Sequence, residues 1–127
     1  MTIIEVIVAA AVFAIAALFV MHSLGKSTVL DAHTWETHTA ILAGQSKLEE
    51  ITAAGYANAA SYGVSPKNSF AVSGLAPQTT GLQPGSVEVT KITSTSSSLY
   101  DVTVRIRWTG VQGDREEVLK TMVAEKP

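Results

Sequence analysis

The sequence predicts an α+β fold, in which a long N-terminal α-helix packs on a small antiparallel β-sheet of three to four strands. Three observations carry that prediction. From Val6 to Met21, sixteen residues pass without a charge, a glycine or a proline. From Leu30 to Ile51, apolar and small residues (Leu30, Thr34, Thr37, Ile41, Gly44, Leu48 and Ile51) recur at alternating four- and three-residue steps, which is helical spacing. Over Leu99–Trp108 the pattern becomes two-fold, with Val102, Val104, Ile106 and Trp108 facing one way and Asp101, Thr103, Arg105 and Arg107 the other.

Residues 1–24 form the apolar half of the helix. At 1.5 Å per residue they rise about 36 Å, enough to cross a hydrocarbon core of about 30 Å. The segment has no basic start and an unusually long apolar run for a secretory signal peptide, so a membrane anchor is the simpler account. An anchor explains the length but not Glu5, the one charge within the apolar surface formed by Ile3, Ile4 and the residues after it. An acid in such a segment costs about 2.5–3.5 kcal/mol on insertion scales and normally has a partner. The nearest positive group is the α-amino group of Met1, four residues away on a helix. It can pair with Glu5 of its own chain or, when chains stagger, with Glu5 of a neighbour.

The helix is expected to continue through residues 25–54, where no proline intervenes. Asp31, Glu36, Lys47, Glu49 and Glu50 fall mainly off the apolar stripe, so this half is amphipathic and suited to lie on a sheet. Gly44, inside the stripe, is expected to let a strand backbone approach, and Gly55 is a natural C-terminal stop. Gly25, beside Ser23 and His22, is the weak point between the halves. Residues 55–86 are rich in Gly, Pro, Ser, Ala and Asn, with turn signals at Ser65-Pro66, Ala76-Pro77 and Pro84-Gly85. They read as a connecting loop with one short strand at 70–73. Residues 87–127 read as a β-meander: a strand over 87–93, the alternating strand, a turn over 110–114 and a returning strand over 117–124. The domain organisation is thus an apolar half-helix, 1–24, and a globular head, 25–127.

The opening Met1-Thr2-Ile3-Ile4-Glu5-Val6-Ile7-Val8-Ala9 resembles the mature N-terminus of the type IV pilin superfamily. The resemblance covers about the first twenty-five residues in type and spacing and is architectural beyond. It implies a pilin fold and a structural subunit of an extracellular, pilus-like helical filament on a bacterial surface, with an archaeal-type surface filament as the alternative. The unassembled precursor would sit in the inner membrane. A prepilin peptidase would remove a basic leader, leaving Met1 as the first residue to be N-methylated, and a pilus assembly machinery would build the polymer. Met1 and Glu5 become the assembly residues, and Val6, Ala9, Ala10, Phe13, Ala14 and Ala17 the surface packed in the filament core. Pilins often bend near residue 22 at a proline. Here that position is His22, so any bend is expected at His22, Ser23 and Gly25. The tail also resembles minor pilins and type II secretion pseudopilins. A single-pass membrane-anchored binding protein without a filament is the alternative of another class. Adhesion, motility, DNA uptake and secretion all use this architecture.

Other chemistry finds little support in the residues. A length of 127 residues leaves roughly a hundred for the head, and a net charge of −2 provides no basic field for nucleic acid. With no cysteine there is no disulfide, so the C-terminal region must be held by sheet pairing. No Ser/His/Asp order, phosphate loop or convergent carboxylate pair stands out, which points away from an enzyme and from any cofactor. His22, His33 and His38 lack a third ligand at metal-binding spacing, so no metal is expected. Arg105, Arg107, Arg115 and Lys120 are expected on the outer sheet face with cross-strand partners such as Asp101 or Glu117. The hydroxyl run Thr93, Ser94, Thr95, Ser96, Ser97 and Ser98 reads as a hairpin loop and a candidate for O-linked sugar.

Overall fold

A computed structural model describes residues 2–95 and 97–125. Met1, Ser96, Lys126 and Pro127 lie outside the described residues, and with them the expected N-methylation at Met1, its pairing with Glu5, and the Ser96 glycosylation site. The chain divides into two compact units, residues 1–34 and 35–127. Side chains 25–31 are all exposed, so they add nothing to the head core.

Helix α1 is assigned over Ile3–Ala54. In the first unit, every side chain from residue 2 to residue 31 is exposed. His22, Ser23 and Gly25 are helical in the single chain, so the expected bend is a statement about the assembled state.

In the head, α1 is followed by a short helix α2 (Tyr56–Ala59), a 3-10 turn (Ala60–Gly63) and strands β1 (Ser69–Phe70), β2 (Ala76–Pro77), β3 (Gly85–Thr93), β4 (Ser98–Gly110) and β5 (Gly113–Ala124). The sheet therefore has five strands where three to four were expected, all antiparallel. The extra strand is the two-residue β2. It contains Pro77 and was read as a turn, because a proline removes a ladder donor and is tolerated only in short or edge pairings. It pairs Ala76 with Thr109 and Pro77 with Trp108, continuing the side of β4 that β3 occupies up to Ile106. β5 lies along the opposite side of β4 from Leu99–Ala124 to Gly110–Gly113. Its start at Gly113 precedes the expected position 117, because the hairpin turns on Val111 and Gln112 alone, with Gly113 at φ +99°. The 55–86 segment carries helical turns as well as strands, and its expected strand at 70–73 is reduced to Ser69–Phe70.

Val102, Val104, Ile106 and Trp108 are all buried, as their alternation predicts. Around them pack Ala40, Ile51, Ala59, Tyr62, Val72, Leu75, Val87 and Val123. α1 covers this face, but its buried side is not quite the expected stripe. Gly44, Leu48 and Ile51 lie on it, whereas Ala40 is fully buried and Ile41 only partly. Small residues left the phase of the stripe ambiguous, and Ala40, in the helix register of Gly44 and Ile51, fits closest to the sheet. Gly44 serves side chains, not a strand backbone: a β-carbon there would stand 2.6 Å from Cδ1 of Leu119 and 3.4 Å from Cδ1 of Ile106. We expect Gly44→Val to destabilise the head by about 1–3 kcal/mol, since the added methyls meet Leu119 and Ile106 in a filled core. Denaturant unfolding followed by tryptophan fluorescence checks this.

Candidate functional site

Glu5 stands in the first turn of α1. The amides of Glu5 and Val6 donate to the Thr2 carbonyl at 3.1 and 3.3 Å, closing that turn. A carboxylate near a helix N-terminus is favoured by the exposed backbone amides and the helix dipole. Among the described residues no hydrogen bond or ion pair reaches its side chain. The acid is thus placed where its charge suits the helix, with no donor to its oxygens among the described residues.

Around it the helix surface is apolar on every side. Thirteen large apolar side chains between Ile3 and Leu24 are each more than half exposed, from Val6 at 53% to Ile3 at 82%. Covering such side chains is worth about 1.5–3 kcal/mol apiece, so on the order of 20–40 kcal/mol of burial awaits a partner or a lipid phase. A surface of this size on one helix is an interaction surface. At about 100° per residue, Val6, Ala9, Ala10, Phe13, Ala14 and Ala17 fall within one arc of about 140°. Four of these six are alanines, which allows another helix to come close. A separate side of the helix carries a shallow apolar groove lined by Ile15, Leu18, Phe19 and His22. Near the expected bend, the Thr28 hydroxyl donates to the Gly25 carbonyl at 2.9 Å and lies 3.4 Å from that of Leu24. Such back-bonding competes with the helix ladder and favours bending.

The head carries a second set of charged groups, distributed otherwise than expected. Arg107 Nε lies 2.6 Å from Glu116 Oε2 and Arg105 Nε 3.8 Å from Glu116 Oε1. Their partner is therefore Glu116, not Asp101 or Glu117. The register explains the correction: Arg107 pairs directly with Glu116, whereas Glu117 is opposite Ile106 and so lies on the helix side of the sheet. Arg115, opposite Trp108, is also on that side and does not join the outer group, while Lys120, opposite Thr103, does. The Arg105/Arg107 charge is offset by an acid within the same face.

Thr93 and Ser98 pair at the end of the β3–β4 hairpin, which closes with the Ser94 amide donating to the Ser97 carbonyl at 2.9 Å. Thr93, Ser94, Thr95 and Ser97 are exposed and Ser98 is half-buried. Among the described residues no three His, Asp or Glu side chains gather to hold a metal ion. His22 and His38 are exposed and His33 half-buried.

Two charged residues of the amphipathic half-helix, expected mainly off its apolar stripe, are drawn into contacts with the head. Glu36 accepts hydrogen bonds from Trp108 and from the Val111 amide. Lys47 has a side chain only 16% exposed; its ammonium lies 5.4 Å from the ring centroids of both Tyr62 and Phe70 and 3.0 Å from Glu50 Oε2. The available signal for Glu36 was the indole N–H of Trp108, a buried donor that requires an acceptor.

No protein-family model, curated protein or solved structure matches this chain. The exposed Arg107–Glu116 pair is expected to contribute no more than about 1 kcal/mol, and less in high salt. Thermal unfolding of Glu116→Gln at low and high ionic strength measures this, with the gap between variant and parent closing as salt is added.

Proposed function

We propose that this chain is a type IV pilin-like subunit, with a pilin fold, that polymerises through its N-terminal helix into a filament on a bacterial surface. The observation that carries the reading is Glu5: a carboxylate without a side-chain partner among the described residues, set in a helix surface that is apolar all round. Lipid satisfies the apolar surface but not the acid. A second copy satisfies both, because a staggered neighbour brings its own apolar helix and its N-terminal amine. Before assembly the apolar half resides in the inner membrane, with the head outside the cytoplasm. Transfer from lipid to a core of like helices is nearly neutral in hydrophobic terms, so close packing at Ala9, Ala10, Ala14 and Ala17 and the Glu5–amine pair set the preference and the axial step. In this reading a prepilin peptidase exposes Met1, which is then N-methylated, and an assembly machinery supplies the work of extraction. The subunit is structural, with no catalytic residues or cofactor assigned to it.

Microscopy of sheared surface material combined with intact mass tests the proposal. Abundant filaments built of this chain, with a methylated Met1, are the expected result. Scarcity in the filaments would make it a minor pilin or pseudopilin. An unmethylated chain solitary in the membrane would make it a membrane-anchored binding protein and overturn the reading. Glu5→Val is expected to leave the membrane-inserted amount unchanged while lowering filament yield roughly tenfold or more, as loss of a charge-assisted pair of about 1.4 kcal/mol or more requires. Parental filament yield from that variant would refute the role given to Glu5.

A further inference from the structure

Two consecutive residues at the start of the head unit each end on a glycine. Trp35 lays the edge of its indole on Gly74, where a β-carbon would stand 2.6 Å from Cη2 and 3.4 Å from Cζ2. Gly74 turns with φ +85°, a conformation that residues with side chains rarely adopt, so both the turn and the indole require glycine there. Glu36 reaches instead to the β4–β5 hairpin. Its Oε1 accepts the Val111 amide at 3.2 Å, and its Oε2 accepts the Trp108 indole N–H at 3.4 Å. A β-carbon on Gly110 would overlap Oε2. The carboxylate thus fills a notch in which one buried side-chain donor and one turn amide converge.

The rest of α1 in the head is held differently. From Gly44 onward the contacts are apolar and continuous, through Leu48, Ile51 and Ala54. Between Glu36 and Ala43 the one fully buried side chain is Ala40, with Ala43 partly buried against the same core, and both alanines have little apolar surface to lose. Trp35 itself is 55% exposed. This end of the helix therefore depends on the two glycine notches, and segments with few buried apolar contacts are the first to open locally.

We propose that Trp35 and Glu36 form a latch: seated in Gly74 and Gly110, they hold residues 35–43 on the head, and their release lets that stretch open while the helix from Gly44 on stays packed. The latch does not rest on the filament reading. In a filament, however, it would be the first fixed point of the head met by tension passing along α1. Opening would uncover the Trp108 indole and part of the β4–β5 hairpin, giving the head a second conformation without unfolding its core.

Hydrogen exchange on the full chain in detergent, resolved by mass spectrometry, tests the latch. Glu36→Gln keeps the shape and one acceptor but removes the charge. It is expected to raise exchange of amides 36–43 roughly tenfold while amides 48–52 and 102–108 stay within about twofold of the parent. Gly110→Ala, which blocks the notch from the other side, is expected to give the same local pattern. The double variant should exchange little faster than either single one, because both changes remove the same contact. A uniform rise over the whole head, no change in 36–43, or simple additivity of the two substitutions would overturn the proposal. Should Gly110→Ala fail to fold, the isosteric Glu36→Gln decides alone.

Discussion

The N-terminal half-helix of this molecule answers to one constraint: an apolar helix surface exposed on all sides has to be covered, and it contains a carboxylate. The first half of that constraint has many solutions. Lipid tails, detergent and other apolar helices all satisfy Ile3, Ile7, Phe13, Leu18 and Phe19 about equally. The second half is selective, since hydrocarbon offers nothing to an acid. No donor reaches Glu5 among the described residues, so a covering that also brings one, at the end of the helix where backbone amides already favour negative charge, is preferred over one that does not. A homopolymer of staggered chains meets both conditions using only groups the chain itself carries, and this economy is why the filament reading stands ahead of a simple anchor.

The head meets a different problem. It has a small core and no cysteine to close it. Its answer is length of pairing and closeness of approach. β4 is paired along one side by β5 through twelve residue pairs and along the other by β3 and then β2. Trp108, 1% exposed near the end of β4, is the largest fully buried side chain and joins the apolar core to the polar notch at Glu36. Glycine lets the layers meet at Gly44, Gly74 and Gly110, in each case by admitting a side chain from the facing element. Aromatic contacts complete the lower half, with Tyr56 and Tyr100 at 4.8 Å between centroids and Lys47 set over Tyr62 and Phe70.

The parts of this arrangement that were legible in the sequence are those in which a periodic pattern has one solution. The two-residue period of β4 fixes which side chains are inside, and the uncharged run fixes an apolar helix. The amphipathic half of α1 was harder, because alanine, glycine and threonine fit either a buried or an exposed position. Its phase was set by Ala40 fitting under the sheet, which no local rule specifies. The contacts of Glu36 and Lys47 were not legible for a related reason. Composition places charged residues outside, and only the three-dimensional positions of Trp108, Val111, Tyr62 and Phe70 supply the donors and ring faces that bring these two inward. β2 was missed because two residues, one of them proline, form a strand only when a partner already stands beside them. The Arg107–Glu116 pairing depended on the hairpin turning over two residues, which moved the β5 register by one from Glu117.

Glu5 and Glu36 lie on the same helix and are the same residue type, and the contrast between them sharpens the functional argument. Glu36 occupies a built site: two donors converge on it, a glycine makes room for it, and its neighbours hold it there. An acid of this kind serves its own fold. Glu5 sits in a first helix turn whose backbone amides and dipole favour its charge by only about 0.3–1 kcal/mol, and it receives no donor among the described residues. That gain is smaller than the roughly 2.5–3.5 kcal/mol that an acid costs in a membrane-length apolar segment, so helix stability alone does not account for its presence. In the filament reading proposed above, the donor that reaches it is the N-terminal amine of a neighbouring copy.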